Sequence, residues 1–203
     1  MLESSSPSAA EHNIVRTVIR DSLEADLLAI TAIYAEAVLH GTGTFELEVP
    51  DLDEMARRRA DVLSKGLPWL VVERAGLVLG YAYVNHFRPR RAYRYCLEDS
   101  IYLSRQAQGQ GLGSLLLAEL MARGAAAGAR QMLAVIGDSR NLGSIGVHHK
   151  MGFEHSGMLK ASGWKFGRWL DVVLMQRALG LGDAQDPDDA VEPGAAPTRR
   201  DPS

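Results

Sequence analysis

The sequence predicts an α/β fold, a mixed central β-sheet flanked by helices on both faces, and three stretches predict it. Residues 132–136 (Met-Leu-Ala-Val-Ile) are short and wholly apolar, the pattern of a strand buried on both sides. Residues 69–74 and 78–85 are strand-like runs on either side of an Ala-Gly turn at 75–76, which makes a hairpin. Residues 98–114 begin by alternating like a strand, pass through a polar turn rich in glycine, and open into the helical run of Leu115, Leu116, Ala118, Leu120 and Met121.

In chain order, residues 14–20 form a first strand. Asp21-x-x-Glu24 has the form of a capping box, and Leu27, Leu28, Ile30, Ile33, Tyr34, Ala37 and Val38 continue as a helical stripe. Residues 40–45 are a turn-rich loop, and Pro50-Asp-Leu-Asp starts a second helix that extends to Lys65. The hairpin and a basic segment follow, then a central strand over 95–103. By period-two alternation Glu98, Ser100 and Tyr102 share one face of it, and Asp99, Ile101 and Leu103 the other. A helix over 113–128 precedes the apolar strand. Another helix over 141–151 is stopped by Gly152, and strands over 153–159 and 168–177 close the domain. The order is βααβββαβαββ.

A length of 203 residues fits one domain with tails. Residues 1–12, rich in serine, and residues 181–203, rich in Asp, Pro, Gly and Ala, are expected to be disordered, because they bury too little apolar surface to offset their ordering entropy. The domain is expected over 13–180. A net charge of −3 gives no electrostatic reason to expect nucleic acid. One cysteine excludes an intramolecular disulfide framework, and His40, His86 and His155 share no metal-ligand spacing, so no metal is assigned. No stretch is apolar for long enough to span a bilayer, and the first residues lack the basic and apolar regions of a signal peptide. A cytoplasmic location is the expectation.

The chemistry starts at Gly109, Gly111 and Gly113. Alternate glycines before a helix clear side chains from converging backbone N–H groups, and the helix adds unpaired N–H groups and the positive end of its dipole. Such a turn seats phosphate or pyrophosphate. The P-loop spacing is not met, since no Lys follows Gly113, and neither is the dinucleotide spacing, since the run is Gly109-x-Gly111-x-Gly113. The bland alternative is a tight turn without a ligand. Glu98 lies upstream on the strand, so a phosphate seat and a candidate base share one strand-turn-helix unit.

Gln108-Gly109-Gln110-Gly111-Leu112-Gly113 resembles the pyrophosphate loop of the GCN5-related N-acetyltransferases (GNAT), [RQ]-x-x-G-x-[GA]. The run from Asn141 through Ser144, His148 and Gly152 to Phe153 resembles the second signature of that family. The resemblance implies the GNAT acyl-CoA N-acyltransferase fold and acetyl-CoA as cosubstrate. It implies coenzyme contacts at Ile101, Tyr102, Leu103, Gly109, Gln110, Gly111, Leu112, Gly113, Ser114 and Asn141, with Lys150 as a candidate phosphate contact. Glu98 is the chosen base, because an ammonium cannot attack a thioester until it loses a proton. His148 stands where many members carry a Tyr that protonates the departing thiolate. Asp99 is read as structural, and Cys96 as no nucleophile.

Residues 87–102 also resemble the R-x-A-Y-x-x-T-x-E-x-S-[VI]-Y run of the phosphinothricin acetyltransferases and the related methionine sulfone and sulfoximine acetyltransferases, with Cys96 in place of the Thr. The Thr44-Phe45 loop and the run from Gly157 to Asp171 match as well. The resemblance implies substrate contact through Arg91-Ala92-Tyr93 and a homodimer. Arg88, Arg90, Arg91 and Arg94 supply forked donors for carboxylate and phosphinic or sulfone oxygens. The expected reaction is direct acetylation of the α-amino group of a small amino acid or analogue in a ternary complex. A protein N-terminus, another small amine, or a non-catalytic acyl-CoA sensing module are the alternatives.

Overall fold

A computed structural model describes residues 16–187. Its elements are β1 (Thr17–Asp21), α1 (Leu27–His40), α2 (Leu52–Ser64), β2 (Trp69–Arg74), β3 (Leu77–His86), β4 (Cys96–Leu103), α3 (Leu112–Ala126), β5 (Gln131–Gly137), α4 (Leu142–Lys150), β6 (Glu154–Lys165) and β7 (Arg168–Ala178). The order matches the one predicted. One seven-stranded sheet runs β1-β2-β3-β4-β5-β7-β6. Only β4 and β5 pair in parallel; every other neighbour is antiparallel. The expected tail at 1–12, the part of the expected 181–203 tail from 188 on, and the expected strand start at 14–15 lie outside the described residues. Residues 181–183 continue as a turn in which Gly182 is buried and its carbonyl accepts from Arg130.

Local rules account for most of these boundaries. Ala75 and Gly76 both adopt positive φ (53° and 75°), the two-residue turn that matches strand twist in a hairpin. Asp51 caps α2 by accepting from the Glu54 N–H at 2.8 Å. The capping box expected at Asp21 and Glu24 is corrected. Asp21 ends β1 and pairs with Arg123 at 2.6 Å, while Asp26 accepts from the Leu23 N–H at 2.7 Å. Arg20 fixes that alternative, reaching Asp26 with two bonds of 2.7 and 2.9 Å. The strand expected to end at 159 also runs further, to Lys165. After a register shift between Leu159 and Gly163 it pairs again with β7, and Phe45 packs on Gly163 where a side chain would otherwise stand.

The sheet is covered on both sides, as the apolar β5 requires. On one face Trp69, Tyr81, Tyr83 and Tyr102 form an aromatic layer. The Trp69 and Tyr83 rings stack at 4.3 Å, and Tyr34 of α1 meets Tyr102 edge-on at 4.9 Å. On the other face Leu97, Met132 and Leu179 close on Gly124 of α3. Cross-strand pairing puts Tyr83 opposite Ser100 and Tyr81 opposite Tyr102, so Glu98, Ser100 and Tyr102 share the α1 face. Asp99, Ile101 and Leu103 therefore face α3 and α4, as alternation predicted.

Candidate active site

A cleft opens because two strands part company. β4 pairs with β5 only from Cys96–Gln131 to Asp99–Ala134. Beyond that rung β4 continues to Leu103 bound only to β3, and β5 continues to Gly137 bound only to β7. Two strand edges are left facing each other with their backbone groups turned into the gap. Backbone polar groups rarely remain unpaired in a protein interior, so an extended ligand is the natural occupant. The cleft holds about 530 Å³ and is lined by residues 98–103 of β4, 134–137 of β5, Gly109 and Gly113, Asn141 before α4, Ser144, Val147 and His148 on it, and Gly43 and Thr44 of the loop after α1.

The glycine turn stands at one end of this cleft. Gly109 and Gly111 have φ of 74° and 78°, backbone that L side chains rarely adopt. Gly111 is the N-cap of α3, and no side chain caps that end. The first N–H groups of α3 are thus available to an anion. Gly113 differs from the other two. It lies inside the helix, and a Cβ there would sit 3.7 Å from Leu103 and Val147, in ordinary contact and within the cleft wall. Leu112 is buried in the core, and Gln110 bonds to Arg74 and to the Gln106 carbonyl at 2.7 and 2.6 Å.

Glu98 stands on the wall shared with Tyr83, Ser100 and Tyr102. It is half-buried, and its carboxyl is held above the ordinary carboxylate range by desolvation first, then by the negative charge of Asp99, against the opposing charge of Arg88. The neighbouring residue behaves differently. Asp99 is buried on the other face, and its Oδ2 lies 3.0 Å from Nε2 of His148. The Nδ1 of that ring lies 2.8 Å from the Ser144 carbonyl, and the ring stands perpendicular to that of Phe153. Burial opposes charge on His148, but the bond to Asp99, the charge of Asp99 and the Ser144 carbonyl outweigh it, so the ring is held above its ordinary value. Burial, with the Glu98 charge behind it, pushes the Cys96 thiol up to about 11, so it remains a thiol near neutrality, the form poorly suited to nucleophilic attack.

Of the residues singled out from sequence, Glu98, Ile101, Tyr102, Leu103, Gly109, Gly113, Asn141 and His148 line the cleft. Asn141 caps α4 by accepting from the Ser144 N–H at 3.3 Å. Gln110, Gly111, Leu112, Ser114 and Lys150 are not in the lining, and Lys150 is exposed at the end of α4. Arg91, Ala92 and Tyr93 form an exposed 3-10 turn between β3 and β4 and do not line it either. Residues missed by sequence reasoning include Tyr83, Ser144 and Asp99 as a partner of His148. The loop bearing Gly43 and Thr44 is fixed by three contacts. Thr44 Oγ1 lies 3.0 Å from the Tyr34 hydroxyl, its carbonyl accepts from the buried Lys165 ammonium at 2.9 Å, and Phe45 packs against Gly137 and Gly163. Nothing in the sequence signalled the cross-strand placing of Tyr83 opposite Ser100 or the Asp99–His148 pair.

A sheet that splays beside an uncapped, glycine-led helix, with an ionisable residue on each side of the splay, defines a protein built to receive an extended phosphorylated carrier. The sequence matches the Acetyltransferase (GNAT) family over residues 32–153. It is 53% identical over 171 residues to a phosphinothricin N-acetyltransferase of Alcaligenes faecalis, covering 84% of this chain and 85% of that protein. It is 43% identical over 162 residues to an L-methionine sulfoximine/L-methionine sulfone acetyltransferase of Pseudomonas aeruginosa, covering 78% of this chain and 92% of that one. The crystal structure of a phosphinothricin acetyltransferase from Sinorhizobium meliloti in complex with acetyl-CoA superposes with a TM-score of 0.85 at 47% identity, covering 88% of this chain and 96% of that one. The chain belongs to the GNAT acetyltransferase family, and its fold is the GNAT fold.

Proposed function

We propose that this enzyme transfers the acetyl group of acetyl-CoA to the α-amino group of a small amino acid or amino acid analogue of the phosphinothricin or methionine sulfone type, directly and in a ternary complex. One observation carries the reading. Where β4 leaves β5, a single strand presents an open backbone edge to the cleft and a half-buried carboxyl of raised pKa, Glu98, beside it. Relatives that acetylate phosphinothricin and methionine sulfoximine or sulfone supply the substrate class.

The residues divide the work. N–H groups at Gly111 and the start of α3 hold the diphosphate, and the open edge of β4 at 101–103 pairs with the pantetheine arm and offers an N–H to the thioester oxygen. Glu98 takes the proton of the acceptor ammonium, directly or through water. The amine nitrogen then bonds to the acetyl carbon and gives up its second proton to solvent, the C–S bond breaks, and His148 supplies the proton that the departing thiolate needs. Arg88, whose positive charge reaches Glu98, would attract the acceptor carboxylate, with the Arg91–Tyr93 turn as an outer contact.

A homodimer and a cytoplasmic location belong to the same proposal. The β6–β7 hairpin leaves Trp164 and Trp169 56% and 62% exposed, with Met158, Leu159 and Phe166 also open, an apolar surface suited to a second copy. Sedimentation of the purified chain tests this; a monomer at micromolar concentration contradicts it. Cys96 is free, as suits a reducing compartment. No helix among the described residues is long and apolar enough to cross a membrane.

The test of the activity is thiol release from acetyl-CoA across an amine panel that includes phosphinothricin, methionine sulfone, methionine sulfoximine, standard amino acids and N-terminal peptides. Release confined to free amino acids or their analogues is expected. Release only with peptides, or acetyl-CoA binding without any release, contradicts the reading.

A further inference from the structure

We propose that Asp99 is a positioning residue for the acetyl transfer: its carboxylate fixes the ring of His148 at the vertex of the cleft and keeps there the proton that the leaving thiolate takes up. The proposal rests on reading the cleft as an acetyltransferase site, and it adds a residue that sequence reasoning treated as structural.

The geometry is specific. Asp99 is on the last rung that β4 shares with β5, opposite Ala134, so it marks the point from which the strands diverge. Asp99 and His148 are both buried and both line the cleft. A carbonyl oxygen only accepts, so the 2.8 Å contact to Ser144 puts a hydrogen on Nδ1 of His148. The 3.0 Å contact to the Asp99 carboxylate puts a second on Nε2. A ring that donates from both nitrogens is an imidazolium. The other groups against it are not ionisable: the Phe153 ring stands perpendicular to it at 5.0 Å, and the Ser144 hydroxyl is 3.5 Å from Nδ1. Glu98 is adjacent in sequence but stands on the opposite face of β4.

The second oxygen of Asp99 strengthens the argument. Oδ1 is buried without a hydrogen-bond partner among the described residues, so the ring of His148 is the compensation that this carboxylate has. Removing the ring proton would leave a buried carboxylate without a partner among the described residues, which favours the charged ring until a stronger claimant appears. A thiolate leaving the acetyl carbon is such a claimant, since an ordinary thiol titrates near about 8.5 and an ordinary imidazole near about 6.5. Holding the ring above its ordinary value brings donor and acceptor closer and keeps the donor loaded at neutral pH. The Nε2 proton, shared with Asp99, passes to sulfur, the C–S electron pair stays with sulfur, and Nε2 of the neutral imidazole regains a proton from solvent, drawn by the Asp99 charge. On the other face the ammonium loses one proton through Glu98 before attack and a second to solvent once the C–N bond has formed; with one proton taken up by sulfur, one is released per turnover.

The test joins a spectroscopic and a kinetic readout. In the wild-type chain without ligands, NMR of the His148 ring nitrogens should show a titration midpoint above about 6.5. In Asp99→Asn that midpoint should fall by at least about one pH unit. The high-pH limb of kcat should move down with it, and kcat near pH 8 should drop roughly tenfold while the KM for acetyl-CoA changes by less than about threefold. A purely structural Asp99 would not shift the ring midpoint and the kinetic limb together. If Asp99→Asn does not fold, the wild-type midpoint still decides, because a value at or below about 6.5 overturns the proposal. An active wild type whose Asp99→Asn variant keeps both the midpoint and the limb overturns the proposal alone. A wild type that acetylates no amine overturns the underlying reading, and this proposal with it.

Discussion

Glu98 and Asp99 are adjacent carboxylates on one strand, yet the fold gives them opposite circumstances. Glu98 faces the aromatic wall under α1, with desolvation and a like charge beside it and only the Arg88 charge to ease it. Asp99 faces α4 and has a ring nitrogen at 3.0 Å. The first is left as a group that gains by accepting a proton, the second as a group that holds a proton on its partner. Two identical functional groups take two roles because a strand turns alternate side chains to opposite faces, and the two faces of β4 meet different helices.

Substitutions at the two carboxylates' surroundings should separate their roles. Glu98→Gln should lower kcat by about 10²- to 10⁴-fold, the usual worth of a positioned base, with acetyl-CoA affinity nearly intact by calorimetry. Replacing the other partner, His148→Phe, should cost about 10- to 100-fold in kcat, a smaller loss because solvent can protonate a thiolate. Gly111→Val should raise the acetyl-CoA dissociation constant about tenfold and lower stability by about 1–2 kcal/mol, since the αL backbone at φ 78° resists a β-branched side chain. Binding isotherms and thermal melts would check both effects. Arg88→Gln should raise the KM of the amino acid acceptor several-fold with kcat little changed, as expected for uniform loss of binding. The smallest effect is on stability in acid. Arg20 holds Asp26, and Arg168 holds Asp138, below the ordinary carboxylate range. The stabilisation from each pair is complete above about pH 4 and is lost as pH falls through the folded values. Arg168→Gln should therefore flatten the acid limb of a melting-temperature profile.

The sequence carried the order of the elements and the assignment of β4 residues to its two faces, because period two and period 3.6 are local signals. It carried the glycine turn for the same reason, though it treated three glycines alike where the backbone distinguishes them. Gly109 and Gly111 answer to positive φ, and Gly113 to space in the cleft wall. What was not legible depends on contacts between distant segments. Arg20 reaching Asp26 moved a cap away from Asp21, and Phe45 packing on Gly163 went with a hairpin longer than its hydrophobic pattern suggested. The pairing of Asp99 with His148 spans 49 positions and leaves no periodic trace. The β4–β5 splay is equally hidden, since each strand remains regular and only their mutual register ends at Asp99 and Ala134.

The most direct test of the division of labour on β4 is the pH dependence of kcat/KM for the amino acid acceptor, measured on the wild type and on Glu98→Gln. The account predicts a rising limb in the wild type centred above the ordinary glutamate value of about 4.3, absent from the variant. The same limb in both proteins, or equal rates across the range, would contradict it.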